Sequence, residues 1–216
     1  VCNRIGDAGV QSAFGLMAFL DMLIILSLCY PIMEKMSIAC SSSFAEKNFS
    51  DAKRLFLQGC ITNILIYVLI IFPFSLFSQP ILKGMRILPA DDDGLASKFF
   101  FKLTGVDVLR FLGEYIMAYG VCQKIEKPFS LANIASLAIS GVAYYLCCFY
   151  KDMGVDGWFI TRASYDASNV LFYAAIVVCK ADKRSIGCVS LKLVFKGYVG
   201  FLKDCFKFVL SFYAEW

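Results

Sequence analysis

Apolar positions fall in long blocks separated by short polar clusters, and two of the blocks carry no charge. Residues 55–82 are broken only by Pro73, with Gln79 and Pro80 near the exit. Residues 128–150 open on Pro128, a residue suited to the first helical turn. Each exceeds the roughly 20 residues a helix needs to cross a bilayer core. Both therefore predict transmembrane helices. The other apolar blocks are charged: residues 10–42 contain Asp21, Pro31, Glu34 and Lys35, and residues 98–122 contain Lys102, Asp107, Arg110 and Glu114. Residues 157–179 contain Arg162 and Asp166, and residues 201–216 run into Glu215. These blocks predict four more helices, the last incomplete. Charges at membrane depth are costly, so they must face protein or water. The expected fold is all-α: a single lobe of about six helices, a polytopic transmembrane bundle.

The polar loops order the topology. Loops one, three and five with their flanks hold Lys47, Lys53, Arg54, Lys124, Lys127, Lys180, Lys183, Arg184, Lys192 and Lys196. Loops two and four hold Lys83, Arg86, Lys98, Lys102 and Lys151. That two-to-one bias places the odd loops in the cytoplasm by the positive-inside rule. Lys192, Lys196, Lys203 and Lys207 form one basic stripe at helical spacing. Residues 186–200 accordingly read as an interfacial amphipathic segment leading into the last span.

Composition agrees with this class. Of 216 residues, 59% are hydrophobic and 18% charged, against about 25% charged in a soluble domain. Mean hydropathy is +0.68. With no histidine, His-based nucleophile systems, His-ligated metals and the usual near-neutral pH switch are excluded. The ten cysteines contain no C-x-x-C pair, and no phosphate-cradling glycine motif is present. No enzyme activity, cofactor, metal or nucleic-acid partner is expected. Arg4 precedes an apolar stretch bracketed by Asp7 and Asp21, a poor match to a cleavable signal. The chain opens on Val1, as a chain does that begins mid-protein or has been processed.

The candidate chemistry lies in the intramembrane charges. Asp107, Arg110 and Glu114, spaced 3 and 4, share one helix face. They either glue that helix into a bundle or line an aqueous cavity, where the second acid leaves a net negative site. Arg162, Asp166 and Asn169 repeat the pattern. Asp21 has no charged neighbour at helical spacing and is a candidate proton carrier or a helix-break residue. Glu215 ends a mostly apolar run beside Trp216. Ala132, Ser136 and Ser140 form a small-residue packing face.

Several pieces, in order, resemble the multidrug and toxic compound extrusion (MATE) transporters. Ala39-Cys-Ser-Ser-Ser-Phe-Ala-Glu-Lys-Asn-Phe49 is similar to the family's Gln-Ala-Phe-Gly-Ala-x-x-Tyr loop, with Ser42 for Gln and Ala45 for Gly. Leu57-Gln58-Gly59 follows at the start of the next helix, where the family often has a Gln-Arg pair. Gln79-Pro80-Ile81-Leu82 resembles the acidic-Pro-Ile-Leu exit, with a neutral residue in the acid's place. Gln123 and Pro128 fit Gln-Gly-x-x-x-Pro, with Lys124 for Gly. Met153-Gly154-Val155-Asp156-Gly157 resembles the Leu-Gly-Val-x-Gly turn, and Phe212-Tyr-Ala-Glu215-Trp216 the Leu-Glu-Trp-Trp signature.

In that register the chain spans the family's second to seventh helices, most of the N-terminal lobe. The resemblance implies an integral multi-pass protein of the plasma membrane or an organelle. It implies part of a proton- or cation-coupled antiporter that exports organic cations and small amphipathic compounds by alternating access. Its partners would be the lipid bilayer, the small-molecule substrate, H+ or Na+, and a C-terminal lobe or other membrane subunits. Glu215 occupies the position of an essential cation-binding carboxylate. Asp21, Asp107, Glu114 and Arg110 are further candidates for substrate or cation binding. A rival expectation is a MATE-derived structural subunit of a larger membrane complex, with transport lost. A third is a lipid-linked flippase of the same superfamily, which would want a larger cationic cavity than Arg110 and Arg162 supply.

Overall fold

A computed structural model describes residues 8–85, 87, 94–187 and 190–215. The described chain is an all-α bundle without strands. Helix α1 runs continuously over residues 8–45, as an α-helical Ala8–Leu20, a π-helical Asp21–Leu26 and an α-helical Ser27–Ala45. Helix α2, Phe49–Leu76, contains a second π-helical stretch at Tyr67–Ile71. Short α3 is Ser78–Gly84, α4 is Leu95–Val121 and α5 is Glu126–Tyr150. Helix α6 is Val155–Lys180, α7 is Leu191–Phe195 and α8 is Tyr198–Glu215.

Proline explains two of the irregularities. A proline inside a helix lacks the N–H for the bond four residues back, and its ring presses on that carbonyl. Pro31 in α1 and Pro73 in α2 each follow a π-helical stretch. The wider turn loosens the backbone just ahead of the obstruction. In α1, Ser27 Oγ donates to the Met22 carbonyl at 2.9 Å, supplying a side-chain partner within the altered register. A third π-helical stretch, Tyr145–Tyr150, ends α5.

Among the described residues, three helices are long and apolar enough to cross a membrane: Gly9–Ala45, Phe49–Leu76 and Glu126–Tyr150. Their apolar windows are 33%, 28% and 22% buried, so most of their apolar surface points away from the bundle. Ile64, Leu69, Leu131, Ile134 and Leu137 are among the exposed side chains. Water would not tolerate such continuous faces, whereas lipid or further protein would. Helices α4 and α6 are as long, 27 and 26 residues, but carry the charged pairs noted in the sequence.

Helix α4 is central. Its buried stripe runs from Phe100 and Leu103 through Asp107 and Phe111 to Tyr115 and Tyr119, while Phe101, Val108 and Leu112 are exposed. It packs on α1 and α6, while α5 packs on α6. The small face of α5 is turned inward, with Ala132, Ser136 and Ser140 all buried. One core lies between the first half of α1 and the start of α4 (Met17, Ile25, Phe100, Phe111). A second joins the later half of α1 to α4 and α8 (Ile32, Met36, Tyr115, Phe201, Cys205). Gly94, at φ +70°, starts α4 with its Cα against the Gln79 side chain, where a Cβ would sit 2.6 Å from Gln79 Cδ.

The ends of α1, α4 and α6 converge. Gln123 Oε1 accepts from the Asp182 N–H at 3.1 Å and from Ser185 Oγ at 3.0 Å. Tyr119 donates to the Ser185 carbonyl at 2.8 Å. The Arg184 guanidinium lies 4.4 Å over the Phe49 ring. Loops one, three and five thus meet at one end of the bundle. The segment expected at 186–200 contains α7 and then a bend at Gly197, φ +75°, which breaks the lysine stripe into two helical pieces. Helix α8 begins at Tyr198, ahead of residue 201.

Candidate functional site

The charged faces of α4 and α6 meet beside the π-helical start in α1. Arg110, near the middle of α4, is the hub. Its Nε donates to Glu114 Oε1 at 3.1 Å, closing the i,i+4 pair that the sequence spacing suggests. Its Nη2 donates to the Tyr30 hydroxyl at 3.1 Å, and that hydroxyl donates to the same Glu114 oxygen at 2.9 Å. Its Nη1 lies 3.9 Å from both Asp21 Oδ2 and Asp107 Oδ1. These last two are ion pairs without hydrogen bonds, since 3.9 Å exceeds hydrogen-bond range. The guanidinium also sits 5.7 Å from the Tyr30 ring centre.

On α6, Arg162 Nε donates to Asp166 Oδ2 at 2.9 Å. This second pair opens onto the same cavity as the first. The cavity has a volume of about 250 Å³ and is lined by Arg110, Glu114, Asn133, Arg162, Asp166 and Asn169, among others. Tyr173 closes one wall by donating to Asn133 Oδ1.

Four carboxylates (Asp21, Asp107, Glu114, Asp166) therefore face two guanidiniums. The surplus is negative, and its oxygens are conspicuously unserved. Asp21 Oδ1, both oxygens of Asp107, Glu114 Oε2 and Asn169 Oδ1 are buried without a hydrogen-bond partner. Asp107 is fully buried. Such oxygens are costly to leave bare. The arrangement can take up protons. Among the described residues no group of three or more Cys, Asp or Glu side chains is arranged to hold a metal ion.

A separate groove lies between α1 and α8. Its volume is about 410 Å³, and Phe19, Met22, Leu23, Leu26, Tyr30, Glu34 and Tyr213 are among its walls. Tyr213 pins the groove by donating to the Leu23 carbonyl at 3.3 Å. Tyr30 belongs to both places: its side chain lines the apolar groove while its hydroxyl is tied to Arg110 and Glu114.

The structure brings Asp21, Asp107, Arg110 and Glu114 together. Asp21, solitary by helical spacing, has a cationic neighbour from another helix, which periodicity within α1 could not reveal. Glu215 closes α8, but its side chain lies outside the described residues. Sequence reasoning missed Tyr30 as the bridge. Its only signal was a hydroxyl-bearing residue in an apolar run just before Pro31. Compared with family models, curated proteins and solved structures, the chain matches none.

Proposed function

We propose that the chain is a multi-pass lobe of a membrane antiporter that exchanges H+ or Na+ for organic cations or other small amphipathic compounds. The observation carrying this reading is the excess of carboxylates over guanidiniums around Arg110, several of their buried oxygens without a hydrogen bond, joined through Tyr30 to an apolar groove. The reading is supported by the MATE-like motifs, by the convergence of the three lysine-rich loops at one end, and by three helices long enough to cross a bilayer.

In this mechanism, uptake of a proton by the Asp21–Asp107–Glu114 group neutralises part of the surplus and frees Arg110 to rearrange its contacts. The Tyr30 hydroxyl transmits that change to the groove wall. An amphipathic cation lies along Met22, Leu23 and Leu26, with Glu34 as its exposed counter-charge. Alternating access requires a second lobe or other membrane subunits to rock against this one.

The test is efflux by the intact gene product reconstituted in proteoliposomes under an imposed pH or Na+ gradient. Asp107→Asn and Glu114→Gln should each abolish gradient-driven export. Full gradient dependence in both variants would overturn the assignment. A second reading, a MATE-derived structural subunit, is favoured by the two within-helix pairs, Arg110–Glu114 and Arg162–Asp166, which need no ligand to be satisfied. It predicts no gradient-driven export by wild type, together with retention in a larger membrane assembly.

A further inference from the structure

The junction of α7 and α8 has one face pinned and one face bare. The pinned face is held by α2. Gln58 Nε2 donates to the Val194 carbonyl at 2.6 Å and to the Lys196 carbonyl at 3.2 Å. Arg54 Nη1 donates to the Lys196 carbonyl at 3.2 Å, and Thr62 Oγ1 shares a 3.1 Å hydrogen bond with the Tyr198 hydroxyl. Val194 and Tyr198 are buried. Gln58, itself 1% exposed, thus uses a buried amide to cap the carbonyl end of a five-residue helix that could not hold its shape alone.

The bare face carries Lys192, Lys196 and Lys203, all exposed. Interleaved with them are Phe195 at 55%, Val199 at 80% and Phe206 at 65% exposure. Asp204, also exposed, is the one acidic residue between 183 and 206. None of the three lysines has an acidic side chain within ion-pair distance among the described residues. Bulky apolar side chains alternating with unpaired ammonium groups suit neither water alone nor hydrocarbon alone. They suit the boundary between acyl chains and negatively charged headgroups.

We propose that this elbow is a binding surface for anionic phospholipid, with Phe195, Val199 and Phe206 among the upper acyl carbons and Lys192, Lys196 and Lys203 on the phosphates. The surface sits at the end of the bundle where the odd loops converge, because Arg54 and Gln58 of loop one and α2 hold it there. It rests on the membrane-spanning reading above but not on transport. Since α8 leads from the elbow to Tyr213 at the apolar groove, lipid bound here fixes the footing of one groove wall.

The experiment uses the full chain in phosphatidylcholine vesicles with trace spin-labelled phosphatidylglycerol or spin-labelled phosphatidylcholine. Electron paramagnetic resonance reads the motionally restricted fraction of each. Wild type should restrict phosphatidylglycerol preferentially, and 0.5 M salt should erase the preference. The K192Q/K196Q/K203Q variant should lose it, at up to about five-fold per lysine removed. K98Q/K102Q/K151Q, which removes exposed Lys98 and Lys102 at the start of α4 and exposed Lys151 after α5, should keep it. Equal restriction of both lipids by wild type, or preference surviving in K192Q/K196Q/K203Q, would overturn the proposal. So would competition by 10 mM inorganic phosphate at constant ionic strength, which would mean a free-phosphate site. Extraction of the protein from vesicles by alkaline carbonate would instead overturn the spanning reading beneath it.

Discussion

The Tyr30 hydroxyl stands 2.9 Å from Glu114 Oε1 while its ring forms part of the groove between α1 and α8. One side chain therefore touches both the charged cluster and the apolar groove. Tyr30→Phe keeps the ring and deletes the bridge. Gradient-driven export should fall at least ten-fold while binding of a fluorescent amphipathic cation to the groove persists. Proteoliposome efflux and fluorescence titration of the same preparation check this. Loss of both together would instead assign Tyr30 to the groove alone.

Arg110 is the charge that the neighbouring carboxylates share, so removing it should be the most damaging single change at the site. Arg110→Gln leaves buried Asp107 and half-buried Asp21 and Glu114 without this cation, a loss of about 3 kcal/mol, the low end for broken buried pairs. The double variant Arg110→Gln/Glu114→Gln should recover part of that loss, because it removes one of the stranded charges. Unfolding in mixed detergent micelles, followed by circular dichroism, gives both values.

Asp107→Asn should have the opposite sign. The carboxylates outnumber the guanidiniums, and both Asp107 oxygens lack hydrogen bonds. Neutralising it should leave stability unchanged or raise it by about 1 kcal/mol while export is lost. A clear destabilisation by this substitution would mean that Asp107 is held as a structural ion pair.

The loop end of the bundle gives a pH prediction. Arg184 Nη2 donates to Asp182 Oδ2 at 2.8 Å, and the Arg184 N–H donates to Oδ1 at 2.8 Å. These hydrogen bonds hold the Asp182 carboxyl below its ordinary value. A carboxyl depressed on folding stabilises the fold above its unfolded pKa, about 3.9, and that contribution is lost as pH falls through the folded value. Carboxyl-carbon NMR should therefore show Asp182 titrating below about 3.9, and Arg184→Gln should bring it back up. An unshifted midpoint in wild type would mean that the pair does not persist in solution.

Close packing sets a further expectation at Gly157. A Cβ there would sit 2.8 Å from Cys148 Sγ and 3.2 Å from the Cys147 carbonyl carbon. The backbone atom cannot swing aside as a side chain can. Gly157→Ala should cost about 1–3 kcal/mol, whereas Gly141→Ala, inside a helix with nothing within 4 Å, should stabilise by about 0.5–1 kcal/mol. Thermal denaturation of the two variants side by side checks the contrast.

Much of the bundle was legible in the sequence because apolar block length and charge spacing are local quantities. Residues 55–82 and 128–150 read as helices without any tertiary information. The pairs Arg110–Glu114 and Arg162–Asp166 followed from spacing alone, as did the inward small face of α5. What the sequence could not reveal were relationships between helices. Asp21 meets Arg110 because α1 packs on α4, and Tyr30 bridges for the same reason. The break of the lysine stripe at Gly197 was hidden because helical spacing assumes a continuous axis. The contacts of the Glu215 side chain lie outside the described residues.

The π-helical stretch at Asp21–Leu26 has a consequence for chain length. Such a stretch arises when a helix accommodates a surplus residue without breaking. Each residue turns an α-helix by about 100°, so the surplus resets which way everything before Asp21 faces relative to everything after Ser27. Deleting one residue between 22 and 26 would yield an unbroken helix whose two halves still present their present faces to the bundle. The same deletion one turn to either side would rotate half of α1 out of its packing. This stretch is therefore the place where α1 can be shortened by one residue and still fit.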